Sequence, residues 1–317
     1  MKVFSTYHLP ADLKARFERH NIAYSENPYD RSLTASELIS FAKDCDGIIT
    51  LLSDNINREV ISSLTKCKVI ANYAVGFNNI DLVAAREHSI VVTNTPGILT
   101  DATAEISFAL ILACARRVIE AEKMVRDGKF TGWKPELLLG RGLAGKTIGL
   151  VGAGRIAQAV AKIASGFNMT ICYHSRNKKV DMESNFNAVY LDLHELMSKA
   201  DIISLHIPLT QETNGLLSKE MLDLMKPDAI IINTARGEVI DEEYLITMLK
   251  NKKIFAAGFD VYKNEPNINP GLLQLDNVVL LPHLGSATVE TREGMAILAA
   301  DNVIAVLNGN DPLTQII

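Results

Sequence analysis

Short apolar runs separated by amphipathic stretches recur along the chain and fall into two series. In the first, Lys2–Ser5, Gly47–Leu51, Val69–Ala71 and Ile90–Thr93 read as strands. Ala11–His20, Asn57–Leu64 and Val83–Glu87, between them, read as helices. Strand-length runs alternating with helical periodicity predict a parallel sheet with crossover helices. Asn94-Thr95-Pro96-Gly97 is a turn-and-breaker cluster. One long apolar helix is expected after it, from about Asp101 to Asp127, with Thr100 or Asp101 as N-cap and Glu105 in its first turn. Lys129 to Gly145 has no periodicity, holds the only tryptophan, Trp133, and reads as an extended arm. Such an arm either packs locally or reaches a partner subunit.

The second series begins at Thr147. Thr147–Val151, Thr170–Tyr173, Ile202–Leu205, Ala229–Asn233, Phe255–Phe259 and Val278–Leu280 read as strands. Leu193–Met197, Lys219–Met225 and Glu242–Asn251 are among the helices between them. A last helix, about Thr288 to Asn308, is too long and apolar for a tail and is expected to pack on the first domain. The fold class expected is α/β. A doubly wound Rossmann dinucleotide-binding domain, residues 99–287, is inserted into a flavodoxin-like parallel α/β domain made of residues 1–98 and 288–317. The linking helices are then about 101–127 and 288–308.

The glycine loop Gly152-Ala153-Gly154-Arg155-Ile156-Ala157 lies between a predicted strand and a predicted helix, the context a dinucleotide-binding turn needs. Gly152 lets the strand turn tightly, and Gly154 lets backbone approach a pyrophosphate at a helix N-terminus. Ala157 stands where the fingerprint has a third glycine. About twenty residues on, an NAD-binding chain places an acid on the ribose hydroxyls. Here the strand ends Cys172-Tyr173-His174-Ser175-Arg176, and no carboxylate follows until Asp181. A serine with a guanidinium suits a 2′-phosphate. NADP(H) is therefore favoured and NAD(H) remains possible; the competing reading of Ser175 and Arg176 is a solvated basic turn.

Composition removes some classes of partner. The net charge of −5 gives no electrostatic case for nucleic acid or an anionic membrane. No apolar run is long enough to span a bilayer, and Met1-Lys2-Val3-Phe4-Ser5 lacks a signal-peptide apolar region. Cys45, Cys67, Cys114 and Cys172 are scattered, which points to free thiols and a cytoplasmic location. No metal is expected.

Nicotinamide chemistry on a carbonyl needs a carboxylate anchor and a proton donor. Arg236, in Asn233-Thr234-Ala235-Arg236-Gly237, Glu265, in Asp260-Val261-Tyr262-Lys263-Asn264-Glu265-Pro266, and His283, in Pro282-His283-Leu284-Gly285-Ser286-Ala287, all follow strands of the second series. Ligands of such sheets bind there. Each alone could be a surface or structural residue. His8, His20, His88 and His194 are read that way.

Together with Val75-Gly76-Phe77-Asn78-Asn79-Ile80-Asp81 and Asp101-Ala102-Thr103-Ala104-Glu105, these segments resemble the D-isomer-specific 2-hydroxyacid dehydrogenase family over nearly the whole chain. The resemblance implies a homodimer of two-domain subunits. It implies that Arg236 binds the substrate carboxylate, that His283 donates the proton, and that Glu265 keeps His283 charged. It places substrate at Leu52, Val75, Gly76, Arg236, His283 and Ser286. It places the cofactor at Thr103, the Gly152–Ile156 loop with Gly154 and Arg155, Ser175, Arg176, His206, Pro208, Thr234, Ala235, Asp260, His283 and Gly285. Three departures stand out: Ala157 for glycine, Asn78 where Asp is frequent, and Ser175-Arg176 for the usual acid.

Ala102-Thr103-Ala104-Glu105, the Trp133-Lys134-Pro135 arm and the Ser-Arg strand end are most similar to the glyoxylate and hydroxypyruvate reductase branch. Leu51 and Leu52 supply no charged specificity group, which suits a small 2-keto acid. The alternatives are a 2-ketogluconate reductase or another D-2-hydroxyacid dehydrogenase. Outside enzymes, the alternative is an NAD(P)-sensing module that binds a protein partner. The absence of a long C-terminal extension disfavours the longer phosphoglycerate dehydrogenases.

Overall fold

The first apolar series becomes β1 (Lys2–Ser5), α1 (Leu13–Glu18), β2 (Ala23–Glu26), α2 (Ala35–Ala42), β3 (Gly47–Thr50), α3 (Arg58–Ser63), β4 (Val69–Asn72), α4 (Leu82–Glu87) and β5 (Val91–Thr93). Two helices follow, α5 (Thr100–Ala115) and α6 (Val118–Arg126). The second series becomes β6 (Thr147–Val151), α7 (Arg155–Gly166), β7 (Thr170–His174), α8 (Val180–Phe186), β8 (Val189–Tyr190), α9 (Leu193–Lys199) and β9 (Ile202–Leu205). It continues with α10 (Lys219–Leu222), β10 (Ile230–Asn233), α11 (Glu242–Lys250), β11 (Ala256–Phe259), α12 (Pro270–Leu273) and β12 (Val278–Leu280), and α13 (Val289–Leu307) comes last. The computed structural model describes residues 1–317. They form two units, Met1–Leu99 with Ser286–Ile317, and Thr100–Gly285.

The first unit holds a five-stranded parallel sheet in the order β2-β1-β3-β4-β5. Every residue of β3 and β4 is buried, as expected where helices cover both faces of a parallel sheet. Phe4, Ile48, Ile70, Val60, Ile61 and Val92 belong to the core beneath them. Two elements were not foreseen in the apolar pattern. Edge strand β2, Ala23-Tyr24-Ser25-Glu26, is half polar and has no buried residue. Helix α2 begins at a capping box, in which Thr34 and Glu37 cap each other's backbone. Helix α13 packs on β3 and β4, and Asp301 on it receives a two-pronged bond from Arg16 at 2.6 and 2.8 Å. Beyond α13 the chain returns to the sheet edge: Gln315 bridges Thr93 antiparallel, and Ile316 N–H donates to Val92 at 2.8 Å.

The second unit holds a seven-stranded parallel sheet in the order β12-β11-β10-β9-β6-β7-β8. From β6 the chain builds outward through β7 to β8, then crosses back to β9 and continues the other way. The reversal between β6 and β9 is the topological switch point where doubly wound sheets bind ligands. The two-residue β8 is one strand more than the apolar runs predicted. Apolar cores lie on both faces, one around Leu205, Ile231 and Phe259, the other around Phe108, Leu150 and Ile232. Helix α5 lies on α7, β10 and β11.

The single helix expected over 101–127 is two helices. Arg117 adopts a left-handed conformation, φ 54°, and α6 starts after it. The cause lies far along the chain. Gly140 packs against the end of α5, and Arg141 N–H donates to the Ala115 carbonyl at 2.7 Å, the acceptor that a continuous helix would use for its next turn. The helix also begins at Thr100 itself, so Thr100 lies inside it and does not cap it.

A Cβ on Gly140 would lie 2.3 Å from the Ala115 carbonyl oxygen. Gly140→Ala should therefore destabilise the protein by about 1–3 kcal/mol. Urea unfolding measures this, and a midpoint equal to wild type would mean that the contact yields freely.

Candidate active site

The glycine loop follows β6 because a tight turn is needed before α7. Gly152 has φ 109°, and a Cβ there would lie 2.4 Å from the His206 carbonyl oxygen, so only glycine fits. Its N–H donates to His174 at 2.8 Å, and His206 N–H donates to Val151 at 2.7 Å, so the ends of β6, β7 and β9 are tied together. A Cβ on Gly154 would meet nothing within 4 Å. No side chain caps α7 at Gly154, which leaves its first N–H groups and positive dipole end without a side-chain partner. An open backbone cradle at a helix N-terminus fits a pyrophosphate. Arg155 and Ile156 open α7. Ala157 is fully buried in the apolar core, which accounts for its tolerance in place of glycine.

Around this cradle lie the other residues expected to hold a cofactor. Ser175 is half-buried at the end of β7, with its hydroxyl donating to the Asn177 carbonyl at 2.6 Å, while Arg176 is exposed. The nearby Glu183 accepts the Tyr173 hydroxyl at 3.1 Å. Beyond β9, burial pushes His206 down to about 3, so the imidazole stays neutral, with Nε2 2.9 Å from the Ser204 hydroxyl. Pro208 accepts the Thr213 hydroxyl at 2.7 Å.

The three proposed catalytic side chains leave the carboxyl ends of neighbouring strands. Asn233 ends β10, fully buried, and folds the next turn: Oδ1 accepts Ala235 N–H at 3.0 Å and Nδ2 donates to the Arg236 carbonyl at 2.8 Å. One guanidinium nitrogen, Nη1, donates to the Ala235 carbonyl at 2.7 Å. Burial works against the charge of Arg236, and Glu265 and Glu238 work for it. After β11, Glu265 accepts Tyr262 N–H at 2.9 Å through Oε1 and faces His283 Nδ1 at 2.8 Å through Oε2. Burial pushes the Glu265 carboxyl up. The His283 hydrogen bond and charge, the Tyr262 N–H and the Arg236 charge outweigh it and hold the group below its ordinary value of 4.5. His283 sits in a left-handed conformation, φ 57°. With Nδ1 facing Glu265, Nε2 is the ring nitrogen that this carboxylate does not engage.

A second network holds this turn. Buried Asp260 accepts Leu284 N–H at 2.6 Å and Gly285 N–H at 2.7 Å. Burial raises its carboxyl above the usual range, against the pull of those N–H groups and the His283 charge. Thr103 on α5 donates to the Gly285 carbonyl at 2.9 Å. Ser107 donates to the Thr103 carbonyl and lies 2.8 Å from the Thr234 hydroxyl. Arg236, Glu265, His283, Asp260, Thr103, Thr234, Ala235 and Gly285 thus share one end of one sheet. Asn233, Gly237, Tyr262 and Ser107 belong with them and had been given no role; a buried Asn closing an isoleucine run was the available signal.

In the first unit, Leu52 lies in the loop after β3 and Val75 and Gly76 in the loop after β4. Asn79 Nδ2 donates to the Leu51 and Asp54 carbonyls at 3.0 and 3.2 Å, binding the two loops to each other. Asp54, buried, accepts Leu51 N–H at 2.7 Å and the Thr6 hydroxyl, and burial raises its carboxyl. Ser286 accepts Thr288 N–H at 3.0 Å ahead of α13.

Residues 108–285 match the family model for the D-isomer specific 2-hydroxyacid dehydrogenase NAD binding domain. The chain is 46% identical over 316 residues to a glyoxylate reductase of Thermococcus litoralis, covering 98% of this chain and 95% of that one. A crystal structure of a Thermus thermophilus protein is 43% identical, with a TM-score of 0.93 over 100% of both chains. An NADPH-dependent glyoxylate/hydroxypyruvate reductase of Sinorhizobium meliloti, solved with NADP and malonate, is 30% identical with a TM-score of 0.88, over 99% of this chain and 96% of that one. The chain belongs to the D-isomer-specific 2-hydroxyacid dehydrogenase family, and its second unit is a nicotinamide-dinucleotide-binding domain of an oxidoreductase.

Proposed function

We propose that the protein reduces small 2-keto acids of the glyoxylate and hydroxypyruvate type to the 2-hydroxy acid, of D configuration where that carbon becomes chiral. The observation that carries this reading is the Glu265–His283 pair at 2.8 Å, beside the Arg236 turn on a dinucleotide-binding sheet. The glyoxylate reductases among its relatives support the substrate class. Arg236 offers a planar fork for the substrate carboxylate and positive charge for the carbonyl oxygen. In the first unit, the N–H groups of Val75 and Gly76 are the second carboxylate-binding element of the proposal. His283 gives the Nε2 proton to the carbonyl oxygen as it becomes a hydroxyl. Glu265 accepts at Nδ1, orients the ring and favours its charged form. Hydride for the carbonyl carbon comes from the reduced nicotinamide when it is bound.

The cofactor preference proposed is NADPH over NADH. Ser175 and Arg176 stand at the end of β7, and no carboxylate of that turn competes for a ribose hydroxyl. The subunit is proposed to pair with a second copy. Helix α6 buries none of its residues and exposes Val118, Ile119 and Val125, and the arm beyond it exposes Phe130 and leaves Trp133 82% exposed; these exposed apolar side chains support the pairing. The four free cysteines, all buried, support a reducing cytoplasm as its location. No helix is long and apolar enough to cross a membrane.

Nicotinamide absorbance, followed with glyoxylate, hydroxypyruvate and pyruvate and with each cofactor, tests the reading. Turnover with the first two and a kcat/KM at least about tenfold higher for NADPH are expected, the scale of an arginine–phosphate contact. No turnover with any 2-keto acid and either cofactor would sink the reaction; a preference for NADH would sink the role of Arg176.

His283→Ala should lower kcat by about 10²–10⁴-fold, far more than it weakens cofactor binding, and an unchanged kcat would remove His283 from this role. The pH profile follows from the sign of the Glu265 shift. Its carboxyl is held below 4.5, so its support for His283 is lost only as pH falls through that lowered value. Reduction should therefore persist on the acid side down to that lowered value and fall only below it. Glu265→Gln should lower kcat and abolish this acid fall. An acid fall that survives in Glu265→Gln would separate it from the Glu265 carboxyl.

Light scattering should give twice the chain mass of 34.7 kDa, and Trp133→Asp should lower it toward one chain. A wild-type monomer would refute the pairing.

A further inference from the structure

The loop after β4 is held from behind at three consecutive carbonyls. Thr95 N–H donates to the Ala74 carbonyl at 2.8 Å. The Asn94 amide donates to the Val75 carbonyl at 2.9 Å. The Asn72 amide donates to the Gly76 carbonyl at 2.8 Å. In a trans peptide the carbonyl of one residue and the N–H of the next point in opposite directions. The Ala74 and Val75 carbonyls both face the segment that leaves β5, so the N–H groups of Val75 and Gly76 both face away from it. Neither donates to a backbone carbonyl of the protein. Neighbouring N–H groups left on one side make a place for an anion.

Asn94 is itself clamped. Its N–H donates to the Thr314 carbonyl at 3.3 Å, and its carbonyl accepts the Thr314 hydroxyl at 2.6 Å. Fully buried Asn302 on α13 holds Thr314 in turn, accepting its N–H at 3.0 Å and donating to its hydroxyl at 2.7 Å. A line of hydrogen bonds therefore runs from α13 through the last residues of the chain to the Val75 carbonyl.

We propose that Asn94, held in place by Thr314, is a positioning residue for recognition of the substrate carboxylate: it fixes the peptide plane that presents the Gly76 N–H. The inference rests on the reading that Val75 and Gly76 bind that carboxylate. It adds that the chain's last residues tune substrate affinity without touching substrate.

The test measures KM and kcat for glyoxylate and hydroxypyruvate, the Ki of oxamate and the Kd of NADPH on the full-length enzyme. Asn94→Ala should raise KM and Ki together by about tenfold, the scale of one misdirected hydrogen bond to a charged group, with little change in kcat or in the NADPH Kd. Thr314→Val should shift both in the same direction by a smaller factor, and Thr314→Ser, which keeps the hydroxyl, should restore wild-type values. An Asn94→Ala enzyme with unchanged KM and Ki would overturn the proposal, and so would equal losses in the two Thr314 variants. If Asn94→Ala does not fold, the Thr314 pair decides. A wild type that neither reduces these acids nor binds oxamate removes the functional reading and this inference with it. A wild type that does both beside an indifferent Asn94→Ala removes the inference alone.

Discussion

Two loops that leave the neighbouring strands β10 and β11 meet backbone to backbone at Gly237. A Cβ there would lie 2.1 Å from both the Tyr262 carbonyl carbon and the Lys263 nitrogen, so no other residue allows the approach. Asn233, from below, sets the turn that brings Gly237 to that place. The spacing of Arg236 from Glu265 follows from this contact, and the placement of Glu265 decides where His283 can find a carboxylate. The chemistry proposed for the site therefore rests on a pair of residues that carry none of it.

Charge around His283 is arranged in the same indirect way. Glu265 is shared among an imidazole, a backbone N–H and the field of Arg236, and these together overcome its burial. Asp260 is buried more deeply and spends both oxygens on backbone N–H groups, which shapes the Leu284–Gly285 turn beyond the histidine. Two acids that follow the same strand thus divide the work: one faces the His283 imidazole, the other holds the backbone of the segment on which it sits.

What the sequence made legible follows from where each signal lies. Arg236, Glu265 and His283 stand just past apolar runs, in turns whose residue types announce themselves, and the Gly152–Gly154 loop has a spacing that few other structures need. Strand positions in the doubly wound sheet were readable because buried parallel strands are continuous in Val and Ile. The residues missed act on backbone rather than on ligand. Asn72, Asn94, Asn233 and Gly237 are recognisable only once one knows which carbonyl or which neighbouring loop they face. Strand β2 was too polar to register, and the two-residue β8 too short. The break between α5 and α6 was invisible locally, since Gly140 and Arg141, which enforce it, come from the other side of the arm.

The path of the chain through its two sheets also sets an order of assembly. The first unit draws α13 and the strand-like segment around Gln315 from the end of the chain, so its β5 edge stays open until those residues have been made. All of Thr100–Gly285 leaves the ribosome before them. On a nascent chain all strands of the seven-stranded sheet are therefore available to pair while the five-stranded sheet still lacks the segments that cover β3, β4 and the β5 edge.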